Sequence, residues 1–376
     1  RILRGGGRRI GIRVKGPSVD RSAVSFRVND AGATRFGLGA VRGVGGGAVQ
    51  SIVENRLSEG PYTSLFDFAR RVNPKDVNKR VYEALALGGG FDEYAGLHRA
   101  QFFAQDEKGR NLIELAVRYG AGHQASEMSA QASLFGDAEV EIPEPAIPTC
   151  EPWEPMAMLA KEKEVIGVYI SGHPLDKFRF EMEQLCWPLD GLQVLMDALA
   201  WRGKDLRFAG RIIEAQHRIS KAGKPFGSFT LEDFHHSERF MLFGEDYLKF
   251  KDYLVEGWFV FVRGTVEQRR FRDDPNDVEF KVKGVELLAD VREKMVGRLR
   301  LAVDLVSMTE ARLVRLTELV TSSPGAVGLT LDISDAEANM TMSSRTKKVA
   351  ISDDFLKGLE GLVEEGGIDW RIEKKK

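Results

Sequence analysis

The chain has 376 residues, with 54 Lys and Arg against 56 Asp and Glu, 43% hydrophobic residues and two cysteines. That length predicts two or three domains with ample cores, and the ordinary composition excludes a disordered or fibrous chain. Cys150 and Cys186 alone give neither a disulfide framework nor a metal set, and the chain has no long apolar run and no signal-peptide core at its start, so a reducing, cytoplasmic setting without a membrane partner is expected.

The near-zero net charge divides along the chain. Residues 1–122 carry 20 Lys and Arg against 12 Asp and Glu, a net +8, whereas 123–170 carry 2 against 9, a net −7. A basic block suits phosphate and an acidic strip avoids it, although two solvated faces would have the same composition. The first residue is Arg rather than Met, so a fragment of a longer chain is expected.

Five glycines crowd the stretch "RFGLGAVRGVGGGAVQSIVENR" at 35–56 between positions 39 and 47. Gly43, Gly45 and Ala48 satisfy the dinucleotide pattern G-x-G-x-x-A, but no buried strand precedes them and no acidic residue follows at the distance a ribose needs. No Gly-Lys-Ser/Thr follows either, which excludes a Walker loop. The pattern instead fits a helix-hairpin-helix: Leu38 and Val41 on one short helix, the Gly43-Val44-Gly45 hairpin, then Val49, Ile52 and Val53 on a second. The small residue usual four positions after the second glycine is Val49 here. In such a hairpin Gly43, Gly45, Gly46 and Gly47 bare backbone N–H groups to a phosphate at a helix N-terminus, with Arg42, Lys75, Lys79 and Arg80 as nearby cations. A plain flexible turn between packed helices is the alternative.

Further on, Val77, Val81 and Leu85 share one face of a helix that Gly88 to Gly90 should stop, and short amphipathic helices are expected near 97–105 and 111–119. From 121 to about 158 the periodicity fails in an acidic, proline-containing stretch that reads as a mobile linker. Within it Leu134 and Phe135 of "QASLFG" form an isolated apolar pair. Ser171 and His173 of "SGHPLD" tempt a catalytic reading, but no oxyanion elbow accompanies them.

Residues 205–290 alternate as five strands with a helix between the third and fourth, the order of an OB-fold barrel. Two loops flank its expected binding face. They bring Arg218, Lys221 and Lys224, and Arg269, Arg270, Phe271 and Arg272, a mixture of cations and rings suited to single-stranded nucleic acid; the alternative is a barrel used for packing, with Phe226, Phe229 and Phe243 in its core. Residues 295–376 read as a small unit with strands at "GRLRLAVDL" and "AVGLTLDI" and helices at "TEARLVRLTELVTSS" and "DDFLKGLEGLVEEG". The fold class expected is therefore multidomain α+β: an all-helical hairpin domain, an OB-fold β-barrel and a small C-terminal α/β domain.

In order, "GIRVKGPSVDRSAVSF", "RFGLGAVRGVG", "SLFDFARRV", "VNKRVYEALALGGGFD", "EKEVIGVYISGHPLDKF" and "VRGTV" resemble the C-terminal portion of the bacterial DNA polymerase III alpha subunit family. The resemblance implies the end of a fingers region and connector at 1–34, a duplex-binding helix-hairpin-helix domain at 35–122 and an acidic linker at 123–160. A helical connector at 161–204, an OB-fold domain at 205–292 and a C-terminal domain at 293–376 follow. It implies that Gln131, Ser133, Leu134 and Phe135 bind the sliding clamp (the beta subunit), that the barrel lies near the single-stranded template, and that the last domain binds the clamp-loader tau subunit. The catalytic palm of that family, with its metal-binding aspartates, has no counterpart among these motifs, so no catalytic residue, metal or cofactor is expected within this chain. Two rival readings are a protein-interaction scaffold whose hairpin and barrel pack on partner proteins, and an error-prone paralogue of the same polymerase family.

Overall fold

The computed structural model describes residues 14–132, 142–192, 196, 201–268 and 277–375. The chain forms two compact units that divide between Pro174 and Leu175. The stretch 161–204, expected as one helical connector, thus divides between them.

The first unit opens with a small sheet of β1 (Val14–Lys15), β2 (Arg27–Val28) and β3 (Thr34–Arg35), with β3 in the middle. A single 3-10 turn at Leu38–Ala40 leads to α1 (Gly46–Glu59), followed by α2 (Leu65–Arg71) and α3 (Lys79–Gly88). Ser64 and Asn78 cap α2 and α3 through their side chains, and Gly89, left-handed at φ +84°, ends α3. Leu38, Val49, Ile52 and Leu85 are wholly buried in one core with the aromatic cluster of Phe68, Tyr82, Phe91 and Phe102. Val49 is larger than the residue usual at its position, and the core takes it in completely.

Next comes α4, which runs from Leu112 to Ala132, well past the end expected for it. Residues 123–132, expected as the start of a linker, are helical. The sequence signal misleads because Gly120 is a packing site: a Cβ there would lie 2.0 Å from the carbonyl oxygen of Ala69 in α2. One turn on, the Gln124 amide donates to the carbonyls of Arg70 (2.9 Å) and Val72 (2.8 Å) at the end of α2, whose last carbonyls lack helical partners. Residues 142–154 have no regular structure, yet they are docked. The Gln101 amide reaches Pro148 O at 3.2 Å, the His98 ring meets Cys150 O at 3.1 Å, and Trp153 lies 5.4 Å from Phe103. Proline-rich chain without periodicity is here an ordered strap. It feeds α5 (Pro155–Ile166), whose Val165 and Ile166 belong to the same core.

The second unit begins with the short helix α6 (Arg179–Leu185). A five-stranded sheet follows, formed by β4 (Asp205–Ile219), β5 (Pro225–Glu232), β6 (Ser237–Phe243), β7 (Phe259–Gln268) and β8 (Val278–Leu287) in the spatial order β6-β5-β4-β7-β8. Helix α7 (Gly244–Phe250) sits between the third and fourth strands, as the OB-fold reading requires. Fifteen-residue β4 pairs with β7 through its first half and with β5 through its second, with a bulge between Ile212 and Glu214 that lets the sheet curl. Phe208, Phe229, Phe240 and Leu242 fill the interior.

After α8 (Val291–Met295) the chain makes β9 (Val296–Asp304), α9 (Glu310–Ser322), β10 (Pro324–Ser334), β11 (Asn339–Val349), α10 (Asp353–Glu364) and β12 (Ile368–Lys374). The sheet order is β11-β10-β9-β12, with β9 and β10 parallel across the α9 crossover. Leu299, Leu301 and Val303 face the two helices, while Arg298 and Arg300 alternate onto the other face. The sequence does not predict strands β11 and β12, because neither carries a continuous apolar pattern. No helix among the described residues is long and apolar enough to cross a membrane.

Candidate nucleic-acid interface

The hairpin is built by local necessity. Gly43 has φ +92°, and a Cβ on it would stand 3.2 Å from Ala84 Cβ of α3, so the turn needs glycine both for its backbone and for its seat on α3. Gly45 is the N-cap of α1 and offers no side-chain acceptor. The first bond within the helix runs from Val49 N–H to Gly45 O at 3.0 Å, so the N–H groups of Gly46, Gly47 and Ala48 have no helical acceptor. A Cβ added at Gly45 or Gly46 would meet nothing within 4 Å, so a ligand can approach this backbone directly. On the flank, Asp76 Oδ1 would lie 3.6 Å from a Cβ at Gly47, which leaves the Gly45–Gly46 side as the path for an anion.

The four cations expected here divide by role. Lys75, Lys79 and Arg80 are exposed in the turn and first residues of α3. Lys79 is paired to Glu114 at 2.7 Å, and that bond raises its pKa. Arg42 is committed elsewhere: its N–H donates to Val165 O at 2.8 Å and its guanidinium to Glu164 O at 3.2 Å, so it satisfies the C-terminal turn of α5 and ties the hairpin to that helix.

Glu162 of α5 accepts from the amides of Ile170 (2.5 Å) and Ser171 (3.0 Å), from Arg99 Nη1 (2.8 Å) and from the Ser171 hydroxyl. Burial pushes the carboxyl up, but these donors outweigh it and hold its pKa below the usual value. Arg99 also pairs with Asp92 at 2.6 Å. Ser171 thus fastens the turn that follows α5 to Glu162 and Arg99, and His173 stands edge-on to Tyr169 at 5.1 Å. Of the expected clamp peptide, Gln131 falls in the last turn of α4, whereas Ser133, Leu134 and Phe135 lie outside the described residues.

In the barrel the strand register gathers a surface that the sequence reading missed. Arg218 on β4, Phe226 on β5 and Phe243 on β6 form one row; Gln216, Ser228 and Met241 form the next. Phe226 and Phe243 stack at 5.7 Å and 19°, with Phe243 58% exposed. Arg239 crosses this face to the Ser228 hydroxyl at 2.8 Å. Of the three phenylalanines offered as barrel core, only Phe229 is there, 1% exposed. The run Phe240 to Phe243 is apolar throughout, so alternation of hydrophobicity cannot tell its inner from its outer residues; the pairing register can. Lys221 and Lys224 are exposed in the tight turn beside Arg218, where Gly223 has φ +75°. Arg269, Arg270, Phe271 and Arg272 lie outside the described residues.

Comparison with known proteins follows the same division. The helix-hairpin-helix motif family matches residues 11–102, which includes the small sheet ahead of the hairpin. The family described as OB-fold nucleic acid binding domain matches 206–288, and the C-terminal domain family of the DNA polymerase III alpha subunit matches 299–372. The DNA polymerase III subunit alpha of Escherichia coli (strain K12) is 29% identical over 360 residues, which is 94% of this chain and 30% of that protein. The Vibrio cholerae protein of the same name is 31% identical over 78% of this chain and 24% of its own length. That of Saccharopolyspora erythraea is 35% identical over 70% and 22%. The chain spans at most 30% of the length of these relatives. Among solved structures, the second OB-fold domain of replication protein A from Methanococcus maripaludis is 20% identical and covers 23% of this chain and 85% of that domain, with a TM-score of 0.16.

Proposed function

We propose, for a chain that belongs to the DNA polymerase III alpha subunit family, that it holds DNA and docks replication partners during DNA synthesis. The hairpin grips duplex through its backbone, without base preference. The observation that carries this reading is the bare N-terminus of α1, with three N–H groups lacking helical acceptors, open space over Gly45 and Gly46, and exposed Lys75 and Arg80 on the turn and helix against which the hairpin packs. Contacts of this kind release counterions, so duplex affinity falls steeply with salt, which a protein-packing surface would not show. Titrating duplex at two salt concentrations with wild type and Gly45→Leu tests the reading: the variant keeps its fold and loses affinity. Equal affinity would count against it.

Single-stranded template lies across the outer face of the barrel. Phe226 and Phe243 offer a stacking platform, Arg218, Lys221 and Lys224 supply cations along its rim, and Arg269, Arg270, Phe271 and Arg272 would add further cations and a ring for the same strand. The expected clamp peptide starts at Gln131 in the last turn of α4, and in the sequence Ser133, Leu134 and Phe135 follow that helix within the acidic stretch. Weak peptide binding there gains processivity from the high effective concentration of a clamp encircling DNA. Replacing Leu134 and Phe135 with Ala should abolish clamp binding and leave DNA affinity without clamp unchanged. The C-terminal domain binds the clamp-loader tau subunit; deleting residues from 295 onward tests this directly.

A further inference from the structure

Strand β11 is an edge of the C-terminal sheet, and every residue from Asn339 to Lys348 is exposed. The hydrogen-bonding pattern shows which backbone groups it leaves unused. At the hairpin tip Asp335 N donates to Ala338 O at 3.0 Å, and the register runs Ile333 opposite Met340, Asp332 opposite Thr341 and Thr330 opposite Ser343. Bonded pairs alternate along an antiparallel ladder, so Met340 and Met342 bond to β10 while the N–H and C=O groups of Thr341 and Ser343 point away from the sheet.

Natural edges are usually blunted by charge, proline or a bulge. Here the charge and the bulge come late. The register shifts between Ser343 and Lys348, so that Ser344 to Lys347 stand out from β10 with Arg345 and Lys347 among them. Asn339 to Ser343 carry no charge and no proline. On the helix side of this open half, Met340 and Met342 are 55% and 47% exposed. The apolar surface continues at the same end of the sheet into Val306, 72% exposed, whose neighbour Leu305 donates its N–H to Ser334 O at 2.8 Å. On α9, Arg312 and Arg315 turn toward Gly366 and Glu365, which leaves exposed Leu313 on the other flank.

We infer that β11 takes up an extended segment of a partner protein as a fifth strand. The segment bonds to the outward groups of Thr341 and Ser343, sets apolar residues beside Met340 and Met342 on the helix side, and carries acidic residues at the end nearest Arg345, Lys347 and Lys348. A second copy of this chain fits poorly. Antiparallel pairing of two β11 strands about Ser344 would set the apolar end of each against the cationic end of the other.

The inference rests on the reading that this domain binds the clamp-loader tau subunit, which serves as the probe. Binding of tau to the whole chain is measured for wild type, Thr341→Pro and Thr341→Ala. Proline at 341 removes an outward N–H without breaking a bond to β10, whereas alanine removes only the hydroxyl that donates to Asp332 at 2.8 Å. Expected are at least ~tenfold weaker binding for Thr341→Pro, near wild-type binding for Thr341→Ala, and slowed hydrogen exchange at Thr341 and Ser343 in the wild-type complex. Should Thr341→Pro melt early, the Met340→Glu/Met342→Glu pair, altered only on the surface, should show the same loss. Wild-type binding that survives in both variants overturns the added strand and leaves tau binding intact. No binding by wild type overturns both.

Discussion

The helical unit treats its polar groups in two opposite ways. Around Glu162 every available oxygen is used: two amides, a guanidinium and a hydroxyl converge on one carboxylate that is 1% exposed. At Gly45 the chain begins a fourteen-residue helix and supplies no cap at all. Helix α3 packs against the hairpin through Ala84 and starts with Asn78, whose side chain accepts from both Arg80 N and Val81 N. The three cases separate architecture from binding. At Glu162 and Asn78 the polar groups are closed by the unit's own residues; at Gly45 they stay open, which is what the proposed phosphate contact requires.

The largest effect should come from opening the closed site. Replacing Glu162 by Ala leaves buried Arg99 with Asp92 as its one carboxylate partner and takes the acceptor from the Ile170 and Ser171 amides, a loss of about 3 kcal/mol in the stability of the helical unit, read by denaturant unfolding. Its pH dependence has a definite sign. The folded carboxyl is held below the ordinary 4.5, so its contribution is full above that value and is lost as pH falls through the folded pKa. Glu162→Gln should therefore flatten the acid limb of the stability profile, and an unchanged limb would show that other carboxylates control it.

Changing the hairpin turn itself comes next. Gly43→Val meets a positive φ and the methyl of Ala84, and should cost about 1–3 kcal/mol. Removing the closed cap at α3 with Asn78→Ala should cost about 1 kcal/mol and leave duplex affinity nearly as it was. Smallest in energy are the cations. Lys75→Ala and Arg80→Ala should each lower the slope of log affinity against log salt by about one, with no change in melting temperature.

Much of this organisation can be read in the sequence. The hairpin glycines, the apolar spacing of Val77, Val81 and Leu85, and the strand order of the barrel each follow from local rules, and the fold places them as those rules demand. What could not be read depends on distant contacts. The periodicity fails from 121 because Gly120 packs on α2 without a side chain, and Gln124 looks like linker until it reaches the end of that helix. Phe243 looks like core because both faces of its strand are apolar, and only the register with Phe226 sets it outside. Arg42 has the charge for phosphate, but α5 returns from more than a hundred residues away to claim it.

The comparison between closed and open helix ends is tested most directly by closing the open one. In Gly45→Asp, a carboxylate at the N-cap of α1 accepts from the bare N–H groups and faces no neighbour within 4 Å of its Cβ. Melting temperature and duplex affinity would be measured together on wild type and this variant at low salt. The account predicts a stability equal to or slightly above wild type with duplex binding weakened at least ~tenfold, because the phosphate's donors are taken and a negative charge sits in its place. Unchanged duplex affinity in a stably folded Gly45→Asp protein would contradict it.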